Sequence, residues 1–167
     1  MKRRRIGVVV VTVLGLLLPG CGDPAGEVPG VYVLDRETFR REALERLRRG
    51  ASAEAEGLAG PARRALETTW QQQAETEAAA IRLRLDLGAD GRFAVVYRYG
   101  DEQGHGRGSW VLEGERLLLR TEEESGRPLA KPLEAEATLG DGGMRLSGDR
   151  VPIPIPLVRA VGVEPGS

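Results

Sequence analysis

From Ile81 onward the chain alternates apolar and polar residues, and glycine-rich turns interrupt it at hairpin spacing. Only extended backbone sends successive side chains to opposite faces, so this stretch reads as strands with one face buried. Ile81, Leu83, Leu85 and Leu87 face one way, and Arg82, Arg84 and Asp86 the other. Gly88-Ala89-Asp90-Gly91 reads as a hairpin turn, followed by an inward set of Phe93, Val95, Tyr97 and Tyr99. Gly100 to Gly108 reads as a long glycine-rich loop. Trp110 and Leu112 then point inward, Glu113-Gly114-Glu115 turns, and Leu117 and Leu119 return. Leu133, Ala135, Ala137 and Leu139 share a face, Gly140 to Gly143 turns, and Met144 and Leu146 follow.

Val151-Pro152-Ile153-Pro154-Ile155-Pro156-Leu157 has proline at every second position. In a strand, all three missing N–H groups fall on one edge, so no neighbour can pair fully there. The pattern predicts an edge strand with Ile153, Ile155 and Leu157 turned inward, and a sheet open or only partly closed at that seam. A polyproline II tail is the alternative.

The preceding residues read differently. Gly30 to Leu34 alternates like a strand, and Asp35 suits a helix N-cap, with Leu34 and Phe39 placed to staple it. The helix should run from Arg36 to Arg49 and stop at Gly50, with an apolar stripe of Phe39, Ala43, Leu44 and Leu47. Glu42 with Arg46, and Glu45 with Arg49, stand at pairing distance along it. Residues 51–60 form a loose, partly helical connector. Pro61 opens a second helix extending to about Ala80, with a thin face of Ala62, Leu66, Trp70 and Ala74. So weak a pair suits a lid or flank better than a core. The expected fold is α+β, mainly β: an antiparallel meander of about eight strands in an open or partly closed barrel, with a helix pair after strand one.

At the start, Lys2 to Arg5 are basic and Ile6 to Leu18 are almost wholly apolar. As a helix that run covers about 20 Å, short of a ~30 Å hydrocarbon core, so it reads as an export signal and not a span. Leu18-Pro19-Gly20-Cys21 resembles the lipobox of bacterial lipoproteins. The resemblance implies cleavage after Gly20, lipid on Cys21 and a membrane as partner. Gly22 at the second mature position implies the outer membrane. An ordinary signal peptide with a chance cysteine is the alternative. The expected organisation is a signal peptide over 1–20, a lipidated tether over 21–29, a domain over 30–158 and a flexible tail over 159–167.

Cleavage would leave 20 basic and 25 acidic residues. A net acidic chain without a basic block is a poor nucleic-acid binder. Cys21 is the only cysteine, so a lipidated chain keeps no thiol for a disulfide, a metal or nucleophilic attack.

Gly30-Val31-Tyr32-Val33-Leu34-Asp35, Asp90-Gly91-Arg92-Phe93 and Gly108-Ser109-Trp110-Val111-Leu112-Glu113-Gly114, with Arg116 to Leu119, resemble small uncharacterised bacterial lipoproteins. In these a G-x-Y strand, a helical stretch and a meander carrying D-G-x-F and G-x-W build a lipocalin-like or fatty-acid-binding-protein-like sheet. The resemblance implies a barrel fold more than a function.

Candidate chemistry is sparse. His105, the one histidine, sits beside Asp101 and Glu102; a metal or acid–base role needs convergent partners, and a polar hairpin loop is the plainer reading. Ser109 lacks a nucleophile-elbow pattern. Glu122-Glu123-Glu124 reads as a solvated loop, since it lacks the ladder of a calcium loop. Nothing singles out a carboxylate pair for hydrolysis. No enzyme, metal or cofactor is expected. Tyr97, Tyr99 and Trp110 are candidates for an apolar pocket, or equally for plain core. The expected protein is a non-enzymatic envelope lipoprotein that binds a small apolar ligand or lipid, or alternatively contacts an envelope protein through a packed, ligand-free module.

Overall fold

The computed structural model describes residues 28–140, 142–148 and 151–162; Cys21, the export signal and most of the tether lie outside them. Strand β1 (Gly30–Leu34) is followed by helices α1 (Arg36–Gly50), α2 (Ser52–Glu56) and α3 (Gly60–Ala80). Seven strands follow: β2 (Ile81–Leu87), β3 (Arg92–Tyr99), β4 (Glu102–Glu113), β5 (Arg116–Glu124), β6 (Arg127–Gly140), β7 (Gly143–Gly148) and β8 (Val151–Arg159). Each pairs antiparallel with the next, and β8 returns to β1, giving a closed eight-stranded up-and-down barrel of lipocalin-like form.

Closure corrects the expectation of an open or partly closed sheet. Ladders flank β8 on both sides, β7 along most of its length and β1 at Leu157 to Arg159 alone. The Pro156 carbonyl accepts the Asp35 N–H at 3.0 Å. A strand residue's N and C=O point to the same side, so the edge without N–H groups faces β1 and α1. The chain leaves β1 at Asp35, before reaching that edge. Closure uses only the residues beyond the last proline, and Ala160 extends it by donating its N–H to Val31 at 2.8 Å.

Alpha-helix α1 begins where Asp35 Oδ1 accepts the Thr38 N–H at 3.0 Å. That bond is the main reason the Asp35 carboxyl is held below its ordinary range. Phe39 and Ala43 of α1 bury against Ala74 and Ala78 of α3. Leu34, Ile81, Ile153 and Ile155 complete this cluster, so the helix pair sits over one end of the barrel and covers the proline edge. Alanines let the two helices approach closely, which explains why so thin a face suffices. Of the ion pairs expected along α1, Glu42 and Arg46 pair with other elements instead of with each other, and among the described residues Glu45 and Arg49 form no ion pair. Glu42 meets Arg145 of β7 at 2.9 Å, and Arg46 meets Glu77 of α3 at 3.0 Å.

Inside the barrel Tyr32, Leu85, Leu87, Phe93, Leu117, Leu119, Ala137, Met144, Leu146 and Leu157 fill the middle layer. These are the inward positions expected from the alternation, joined by Tyr32. Its phenol is pushed up by burial and donates to the Val28 carbonyl at 2.8 Å, closing the end opposite the helices.

Two segments read as loops are strand. Gly104, Gly106 and Gly108 occupy inward positions of β4 opposite Tyr97, Val95 and Phe93. Glu122 to Glu124 belong to β5, whose hairpin with β6 turns only at Ser125 and Gly126, both at positive φ (51° and 77°).

Candidate functional site

An open groove of about 1040 Å³ runs along β2, β3 and β4, reaching Leu34 and Arg36 at the helix end. Its position follows from register. The turn at Gly88 to Gly91 places Arg82 opposite Arg98, Arg84 opposite Val96 and Asp86 opposite Ala94. The next hairpin sets Gln103, His105 and Arg107 beside Arg98, Val96 and Ala94. The outer face is therefore a three-strand grid with Val96, 57% exposed, at its centre. Val33 and Ala94 share this outer face, whereas Leu83 and Val95, which also border the groove, turn their side chains to the barrel core.

Among the described residues, the groove lining includes five arginines (Arg36, Arg82, Arg84, Arg98 and Arg107) and His105, and no carboxylate. Arg84 is neutralised from outside the lining: its Nε and Nη2 donate to Asp86 at 2.8 and 3.1 Å, which raises its pKa. Arg98 Nε donates to the Gly100 carbonyl at 3.1 Å. Among the described residues no ion pair holds Arg36, Arg82, Arg98 or Arg107. Such an arrangement can hold an apolar body and present cations to an anion; it offers no convergent acid and base. Among the described residues no group of His, Cys, Asp and Glu side chains is arranged to hold a metal ion.

The three aromatic candidates do not share one pocket. Tyr97 lines the groove, half-buried, and its hydroxyl donates to Glu124 Oε1 at 3.1 Å. Tyr99, at the end of β3, is 64% exposed. Trp110 lies near the opposite end of the β3–β4 ladder, where its Nε1 donates to the Gly88 and Arg92 carbonyls at 3.1 Å each and pins the hairpin turn. His105 is on the outer face of β4, not in a loop. Glu122 accepts from Ser109 at 2.9 Å and from Arg92 at 3.0 Å, and these bonds, the serine's first, hold its carboxyl below the ordinary range. The arginine face was not singled out from the sequence. Its signal was the register: setting the inward Leu87 opposite the inward Phe93 pairs positions 82 and 98.

The fold and site together define a closed eight-stranded barrel, capped by a helix pair, with a cationic–apolar groove on one flank. No protein family, characterised protein or solved structure matches the chain.

Proposed function

We propose that this protein is a non-enzymatic lipoprotein of the bacterial cell envelope, anchored through lipid on Cys21 to the outer membrane, whose barrel binds a small apolar ligand or lipid. The observation that carries the binding reading is the groove, roughly the size of a small-molecule site and lined on the outer face by Val33, Ala94 and Val96. Binding falls on the flank and not in the barrel's middle, where Leu87 and Leu117 are fully buried. The anchor reading rests on the basic and apolar leader followed by Leu18-Pro19-Gly20-Cys21. Among the described residues no helix is long and apolar enough to cross a membrane.

Native mass spectrometry after incubation with an envelope lipid extract tests the binding. A reproducible added mass that disappears on denaturation is expected, and it should fall sharply in Val96→Glu. A clean apo mass would sink the ligand and favour the second reading, an interaction module, which the filled middle layer supports. Labelled fatty acid should enter the wild type and not Cys21→Ser; equal labelling would remove the anchor.

A further inference from the structure

We infer that the groove of β2–β4 docks onto anionic phospholipid headgroups of the bilayer that holds the anchor. This deepens the lipid-binding reading and rests on the anchor. The first support is charge: a chain with more acids than bases after Gly20 gathers five arginines on one groove, without an acid among its described lining residues. Like charges directly opposite on neighbouring strands are unfavourable, yet Arg82 faces Arg98. An anion lying across the two relieves that repulsion. Two carboxylates adjoin the groove, Asp86 held by Arg84 and Glu123 across from Arg107, and against five arginines they leave a surplus of positive charge.

The second support is extent. Arg82 and Arg107 lie two strands apart and four positions along the sheet, a separation of roughly 16 Å. One phosphate cannot reach across that span, whereas the headgroups of a bilayer surface can. Exposed Val96 lies among these cations, and an apolar tip ringed by arginine suits the interface between headgroup and acyl chain. The third support is reach. Six residues lie between Cys21 and Val28, and the seven steps cover at most about 25 Å of chain. Val28 contacts Tyr32 of β1, the immediate neighbour of β2, so the anchor permits this flank to lie against the membrane.

The lipidated full-length protein allows a direct test, because acylation removes the thiol of Cys21. Val96→Cys, and separately Thr138→Cys on the outer face of β6, would carry an environment-sensitive fluorophore on vesicles of phosphatidylcholine with or without phosphatidylglycerol. The expected result is partition into both compositions, with an apolar shift at position 96 only where phosphatidylglycerol is present. High salt should reverse the shift. Triple replacement by R82E, R98E and R107E should lower docking by at least about tenfold, with the fluorophore placed as before. An aqueous signal at position 96 on anionic vesicles, an equal shift at position 138, or the same shift on neutral vesicles with inorganic phosphate would each overturn the inference. Failure to partition into neutral vesicles would count against the anchor alone; the signal at position 96 on anionic vesicles would still decide the docking.

Discussion

At the scale of single residues, the inward glycines of β4 show how side chains set the interior. A Cβ on Gly108 would stand 1.9 Å from the Arg120 carbonyl oxygen, a backbone atom beside the irregularity between β4 and β5. A Cβ on Gly104 would stand 2.4 Å from the Tyr97 hydroxyl, at the end of a side chain that can swing aside. Gly108→Ala should therefore cost about 2–3 kcal/mol in urea unfolding, and Gly104→Ala clearly less. Equal costs would mean that the neighbouring strand yields as easily as the tyrosine. Asp35 supplies a pH-dependent contribution. Its folded pKa is depressed, so its stabilisation is present above the unfolded value near 3.9 and is lost as pH falls through the folded value. Asp35→Ala should cost about 1 kcal/mol at neutral pH and flatten the acid limb below about pH 4, whereas Asp35→Asn should flatten that limb at a smaller neutral cost.

At the scale of elements, strand β8 is divided. Its even-numbered positions face β1 and α1. Pro154 lies where α1 covers the edge, whereas Val158 lies in the short ladder with Val33. Pro154→Val restores an N–H where no strand waits for it and should change thermal stability little. Val158→Pro removes one from the ladder that closes the barrel and should cost about 3 kcal/mol or more. If the two changes had equal effects, the division would be wrong. The strand misread as a loop has a related lesson. Gly104-His105-Gly106-Arg107-Gly108 keeps the period of two, with glycine in the apolar slot. Glycine has no side chain to betray which face it occupies, so the alternation disappears while the geometry persists. Glu122 to Glu124 hide strand differently: long hairpin arms projecting from a barrel need no apolar alternation, and here charge pairs such as Arg92–Glu122 line them.

At the scale of the whole molecule, a few residues near the end of the chain hold the first strand to the last. Ending the chain at Pro156 would remove all of β8 that pairs with β1, together with buried Leu157. That truncation should abolish a single cooperative thermal transition by circular dichroism, while a chain ending at Ala160 should melt like the full protein. Identical melting of both would mean that the closing ladder contributes little.

Strand number, inward set and helix placement were written locally, because a period of two, a capped stripe and a turn signal each act within about ten residues. Ile81 to Leu87 and Phe93 to Tyr97 could be oriented without any knowledge of the rest. The sequence alone could not decide closure, because β1 and β8 lie at opposite ends of the fold and their pairing depends on where the chain turns away at Asp35. It also could not gather Arg36, Arg82, Arg98 and Arg107 without the register of three strands and the start of a helix. Local pattern determines which face a side chain takes; only the packed barrel determines which other side chains share that face.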